Sequence, residues 1–234
     1  MTAGTVYGIG VGPGDPELMT LKGLRLLRRA PVVAYPAPEG GDSFARAIVA
    51  DWLTPRQVEV PIAVPMVPER FPAQDVFERA AAELEQHLRA GRDVAVLCQG
   101  DPFFYGSFMY LFARLAERHR VEVVPGVSSL TACAAAVGLP LAARDDVLAV
   151  LPGPLAEERL EARLREVEAA AIIKLGRHFP KVRRVLERLD LLNRARYVER
   201  ATLPNQRIAD IPEEGAVVPY FAMILVHKSG AAWR

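Results

Sequence analysis

Cysteine is scarce. The chain of 234 residues holds two, Cys98 and Cys133, far apart and in no C-x-x-C pair. That spacing argues against a structural zinc site and against a disulfide framework. Cys98 ends an apolar run, Val94 to Cys98, where a thiol packs as a small hydrophobe. Charge of one sign is also lacking: 29 Lys and Arg face 28 Asp and Glu, a net of +1. A general nucleic-acid binder shows a basic excess, so that class is disfavoured, although a local basic pocket remains compatible. No basic stretch followed by an apolar run opens the chain, so no signal peptide is read. No apolar run reaches the roughly 18 residues of a membrane-spanning helix. A soluble, cytoplasmic protein without membrane or nucleic-acid partners is the expectation. What is present is apolar material, 51% of residues, enough for a real core.

Short apolar runs alternate with helical patterns through the first half. TVYGIGVG, PVVAYP, QVEVPIAVP, DVAVLC and VEVVPG read as strands. LKGLRLLRRA, SFARAIVADWL, AQDVFERAAAELEQHLRAG, GSFMYLFARLAERH and SLTACAAAVG read as helices. In the first helix Leu21, Leu24, Leu26 and Leu27 fall at helical spacing, and Arg28 and Arg29 occupy the last turn, where cations suit the helix dipole. Ser43 is a candidate N-cap, and Gly91 ends the Ala-rich helix. This alternation is the signature of a parallel, helix-covered sheet, and the unbroken apolar strands fit burial on both faces. In the second half DVLAVLPG, AIIKLG, RARYVERAT and VVPYFAMILVHKS read as strands, LAEERLEARLREVEAA and KVRRVLERLD as helices. That ending allows antiparallel pairing. The fold class expected is α/β in two domains, residues 1–119 with a mostly parallel sheet and 120–234 with a mixed one.

Three loops draw the eye. GIGVGPGDP carries Gly8, Gly10, Gly12 and Gly14 at every second position. A dinucleotide fingerprint needs G-x-G-x-x-G, and a P-loop needs a lysine after its last glycine; both fail on spacing. Alternate glycines strip side chains from one face of a strand end, which admits a ligand or another backbone. Pro13 stiffens the turn, and Asp15-Pro16 suits a turn or an N-cap. The second loop, QGDPFFYGSF, follows a buried strand, where open α/β sheets form their ligand crevice. There Gly100 permits close approach. Asp101 either meets an ammonium or hydroxyl or caps the next helix, and Phe103, Phe104 and Tyr105 are aromatic walls or core. The third, VVPGVSS, sets Ser128 and Ser129 at a helix start, as ligand contacts or as plain caps.

In this order the three loops resemble those of the tetrapyrrole methylases, the class III S-adenosylmethionine-dependent methyltransferases. The resemblance runs on through IIKLGRH, YVERAT with NQRI, and PYFAMILV, over nearly the whole chain. Within the family, VAYPAP, QGDPFFYGSFMYLF, PGVSSLTACAA and KLGRHFPKVRRVLE look most like the branch that methylates C20 of precorrin-2 in cobalamin synthesis. The branch acting on uroporphyrinogen III carries an aspartate after the tyrosine of the second strand; here Tyr35 is followed by Pro36. The resemblance implies a homodimer, a tetrapyrrole substrate and S-adenosylmethionine in a cleft between two domains. Carried over, the cofactor contacts are Pro13, Gly100, Asp101, Phe103, Ser128, Ser129, Leu175, Ala201, Met223 and Ile224.

A sulfonium donor is already activated, so the protein mainly orients the reactants. That fits the lack of a Ser-His-Asp set, of paired catalytic carboxylates and of a metal-ligand cluster. A proton leaves the carbon after methylation, and Tyr105, His178 and Glu199 are the candidate bases, His178 because its ring titrates near neutrality. For Glu199 the alternative is a structural pair with Arg200. A polycarboxylate substrate calls for arginine or lysine; Arg177 and Arg200 lead, with Lys174 and Arg207 beside them. Whether the substrate already carries cobalt is left open.

Overall fold

The computed structural model describes residues 3–64 and 72–229. Pro65, the last residue of the third extended run, lies outside them. The chain divides into two compact units after Ser128.

The first unit is built on β1 (Val6–Gly10), β2 (Val32–Pro38), β3 (Val58–Val64), β4 (Val94–Cys98) and β5 (Val121–Val124). They form one sheet in the order β3-β2-β4-β1-β5, and every pairing is parallel. The expected division at 119/120 falls nine residues short of this one, because β5 pairs with β1 along Val6↔Val121 to Ile9↔Val124 and so belongs to the first sheet. The central strand β4 is buried at all five positions, while β3 alternates and lies at the edge. Unbroken Val/Ala/Leu runs are what two covered faces select.

The covers are amphipathic helices. On one face α1 (Leu21–Arg29) buries Leu26 and Leu27 against Ile9 and Val33, beside α2 (Phe44–Ile48). Thr20 caps α1 by accepting from Gly23 N, and Ser43 caps α2 by accepting from Arg46 N. Leu21 does not join the core stripe; as the first helical residue it is 86% exposed. On the other face α3 (Pro72–Arg89) and α4 (Phe108–Leu115) bury Phe77, Leu84, Leu88, Phe108 and Leu111. Gly91, at φ +75°, follows α3 in the left-handed conformation expected of a helix-terminating glycine.

The second unit holds α5 (Ser129–Val137), β6 (Leu148–Pro152), α6 (Glu157–Glu166), β7 (Ala169–Ile173), α7 (Phe179–Arg188), β8 (Ala195–Glu199), β9 (Arg207–Ala209) and β10 (Ala222–His227). The sheet order is β6-β7-β10-β8-β9; β6 and β7 are parallel and the other pairs antiparallel, a mixed sheet. Its core has two sides. Phe179, Val182 and Leu186 of α7 and Leu160 and Leu164 of α6 cover one face, and Cys133 and Ala134 of α5 meet Ala171, Val198 and Met223 on the other. Two boundaries and one strand differ from the sequence reading. The α6 pattern stops at Glu166, since Ala169 and Ala170 are already β7. The final strand starts at Ala222, with Val217 97% exposed ahead of it. The short edge strand β9 went unread; it pairs Arg207 with Glu199.

Candidate active site

In a parallel sheet, ligands gather at the carboxyl ends of strands whose connections leave to opposite faces. Here β1 and β2 lead into α1 and α2 on one face, and β4 lies between them and leads into α4 on the other. The loop after β4, which carries Gly100 and Asp101, therefore occupies the switch point.

Four glycines close that end of the sheet backbone to backbone. Gly12 and Gly100 form an antiparallel bridge, with Gly100 N donating to Gly12 O at 2.7 Å. A Cβ on Gly10 would stand 2.6 Å from both Gly100 O and Gly126 Cα. One on Gly126 would stand 2.1 Å from Gly100 O. The alternate glycines thus serve different ends. Gly8 makes room for the Phe108 ring, Gly10 for two backbones, and Gly12 adopts φ +85°. Gly100, at φ +67°, differs again: a Cβ there would meet nothing nearer than Val127 O at 4.0 Å, so the space beyond its Cα is open.

Asp101 ties the loops together. Its Oδ1 accepts from Phe103 N at 2.9 Å and its Oδ2 from Gly126 N at 3.0 Å. One carboxylate therefore shapes the second loop and holds the third, and it does not cap α4. In the first loop Pro13 is buried, and Asp15 caps a 3-10 turn by accepting from Glu17 N at 2.8 Å, with Pro16 where no donor is needed. Phe103 is half exposed, with its ring edge-on to Phe112 at 5.0 Å. Tyr105 is 44% exposed and holds φ +57°. Non-glycine residues in that region are costly and gather at functional sites. Ser128 and Ser129 are both half-buried at the start of α5. Cys98, directly below the second loop, is inert: burial pushes its thiol up to about 12.

The second unit gathers its candidates along one sheet edge. β7 and β8 run in the same direction, so both end there, and β10 begins there. Lys174 follows β7 at φ +57°, Arg200 follows β8 at φ +49°, and Thr202 lies at φ +69°. Arg200 N donates to Phe221 O at 2.9 Å. A Cβ on Gly176 would meet only Tyr220 Cα, at 4.0 Å, which leaves open space here as at Gly100. Leu175, Ala201, Met223 and Ile224 are all buried. Met223 faces α5, Ile224 faces the α6–α7 side, and Leu175 packs with the latter. What these four offer the edge is backbone.

The three candidate bases differ. Glu199 is buried at 4% exposure and fully engaged: Tyr197 Oη donates to it at 2.6 Å, Arg200 at 2.7 Å and Arg207 stands 3.4 Å away. This is the structural pair with Arg200, extended by two further donors. The carboxylate in turn pushes the Tyr197 phenol up, after burial as the larger cause. His178 is half-buried beside exposed Arg177, and its ring titrates below the usual range because of burial and the charges of Lys181 and Arg177. It is therefore unprotonated at neutral pH and able to accept a proton. The strain at Lys174, Arg200 and Thr202 and the Asp101–Gly126 tie were not foreseen. The alternate glycines and the Pro-Gly of the third loop were the only advance signal of the loop packing.

No helix among the described residues is long and apolar enough to cross a membrane. No group of three or more His, Cys, Asp or Glu side chains is placed to hold a metal among them.

Comparison with known proteins adds the lineage. The chain is 44% identical to a precorrin-2 C(20)-methyltransferase of a Sinorhizobium species, over 95% of both chains. It is 31% identical to a cobalt-precorrin-2 C(20)-methyltransferase of Salmonella typhimurium, over 96% of this chain and 97% of that one. The crystal structure of the native uroporphyrin III C-methyl transferase from Thermus thermophilus matches with a TM-score of 0.71 at 30% identity, over 97% and 99% of the two chains. A form of the Thermus thermophilus enzyme complexed with S-adenyl homocysteine matches with a TM-score of 0.69. The family model for tetrapyrrole (corrin/porphyrin) methylases matches residues 5–215, and the chain belongs to that family.

Proposed function

We propose that this protein methylates C20 of precorrin-2 with S-adenosylmethionine, giving precorrin-3A in cobalamin synthesis. The observation that carries the reading is the 44% identity to a precorrin-2 C(20)-methyltransferase, end to end. The lower identity to the relative named for cobalt-precorrin-2, 31%, favours the metal-free substrate.

The residues present fit the cofactor. Gly100 and Gly176 each leave space that a side chain would enter, at strand ends. The contacts that the family resemblance implies are Pro13, Gly100, Asp101, Phe103 and Ser128 on the first unit and Ser129, Leu175, Ala201, Met223 and Ile224 on the second. When bound, it supplies a methyl group on a sulfonium that loses its charge on transfer. The chain's own part is orientation: the glycine contact and the Asp101 tie fix the loops before binding. His178 then takes the proton from the methylated carbon, because its ring is free to accept one at neutral pH. Glu199 has its oxygens engaged and holds Arg200 and Arg207 in place. Arg177 and Arg200 meet substrate carboxylates. The reading extends to a homodimer in the cytoplasm, which light scattering after size exclusion tests.

The decisive experiment supplies labelled S-adenosylmethionine with metal-free or cobalt-loaded precorrin-2. Carbon NMR should place the new methyl at C20 in the metal-free product. A methyl at another carbon, or none from either substrate, overturns the reading.

A further inference from the structure

At the end of the first sheet opposite the glycine loops, a cavity of about 460 Å³ opens between the last turn of α1 and the segment leading into β3. Arg28, Arg29 and Arg56 line it, with Thr54, Pro55 and Gln57. None of the three guanidinium groups has a hydrogen-bond or ion-pair partner among the described residues. Many other arginines are paired, as Arg46 is with Glu59 and Arg188 with Glu157 and Glu161. Three like charges converging on one concavity repel one another, and a cleft concentrates their field. An entering anion relieves that repulsion.

The walls are set in advance. The Gln57 amide donates to Leu27 O at 2.8 Å and Ala30 O at 2.9 Å, and its Oε1 accepts from Thr54 N at 2.8 Å. Val58 N donates to Pro31 O at 2.9 Å. The amide thus covers carbonyls at the end of α1, whose negative dipole would otherwise repel an anion. What remains facing the cavity is a set of forked donors, the geometry that suits phosphate oxygens bidentately.

We infer that Arg28, Arg29 and Arg56 form a binding site for a phosphate-bearing anion of two or more negative charges, separate from the methyl-transfer loops. The site stands on the first unit alone and does not depend on the proposed substrate.

Calorimetry on the full chain, in phosphate-free buffer, tests it with inorganic pyrophosphate as the probe and ADP as a second arm. Saturable one-site binding of pyrophosphate is expected, weakened at least tenfold in an Arg28→Gln/Arg56→Gln variant and unchanged in Arg159→Gln on α6. Tighter binding of ADP identifies a nucleotide as the source, and equal binding a free phosphate anion; both support the site. All the replaced side chains are exposed, so the variants should melt with the wild type. Heats no different from sodium chloride at matched ionic strength overturn the inference, as does binding that survives the double substitution or falls equally with Arg159→Gln.

Discussion

Gly126→Ala is the sharpest test of how the loops of the first unit are held. The added Cβ would lie 2.1 Å from Gly100 O and 2.7 Å from Gly10 Cα. Both neighbours are backbone, so no side chain can rotate away. The strand ends of β1, β4 and β5 must separate, and the Asp101–Gly126 bond lengthens with them. Overpacking costs about 1–3 kcal/mol where side chains can adjust, and a backbone-bound contact belongs at the upper end, about 3 kcal/mol. For a chain of this size that lowers Tm by roughly 6–12 °C. Gly40→Ala is the control in the same unit. It has φ +67° and nothing within 4 Å of the added Cβ, so only the left-handed strain applies. That is about 1 kcal/mol, roughly 2–4 °C. Calorimetric unfolding of the two variants beside wild type, with S-adenosylhomocysteine titrated into each, reads both quantities. The glycine packing argument fails if Gly126→Ala melts no lower than Gly40→Ala. If stability falls but cofactor affinity does not, the three loops are a structural seam rather than a binding wall.

Asp101→Ala should weaken S-adenosylhomocysteine binding more than His178→Ala does, since it releases two backbone donors and unties the third loop; calorimetry giving the reverse order would return Asp101 to a purely local turn. Glu59 accepts from Arg46 and from Tyr35 Oη, and Arg46 chiefly holds its carboxyl down at about 2. A depressed carboxylate stabilises the fold above its unfolded value of 4.5 and loses that contribution as pH falls towards 2. Solvent screening of this partly exposed group leaves about 1 kcal/mol. Glu59→Gln should therefore lower Tm at pH 6, and the gap to wild type should narrow as pH falls below 4.5 and close only below about 2; a constant gap across the pH series would refute the linkage. Burial raises both thiols to about 12, so Cys98 and Cys133 should ignore a chromogenic disulfide reagent at pH 8 in the native protein and react fully after unfolding.

The fold was largely legible because the apolar pattern and the topology agree. Continuous runs such as Val94–Cys98 have one stable setting, a strand covered on both faces, and the five of them formed one parallel sheet. The reading slipped where local pattern and pairing part company. VEVV reads with the strands of the first half, yet the division expected at 119/120 puts it in the second domain, and its partner β1 assigns it to the first. Arg207–Ala209 is too short and too polar to announce a strand, and it exists because β8 offers an open edge. Val217–Phe221 has strand composition but no partner strand, so its apolar residues stay outside the sheet.

The site divides along the same line. A glycine or a proline declares a backbone constraint in its own letter, and so the three loops could be picked out before any coordinates. A carboxylate declares only a charge, and its role is decided by what approaches it in space. Asp101 and Glu199 each close a strand-end motif, and each was open to a chemical or a structural role. Asp101 gains partners two and twenty-five residues away, a turn and a tie between loops. Glu199 gains Tyr197 on its own strand, Arg200 beside it and Arg207 across the ladder. With those donors in place, the Glu199 oxygens are committed to holding Tyr197, Arg200 and Arg207. His178 has no such donor set: burial and its charged neighbours, the cations Lys181 and Arg177, favour the neutral ring, and this difference in surroundings is why His178 and not Glu199 is the base in the reading proposed above.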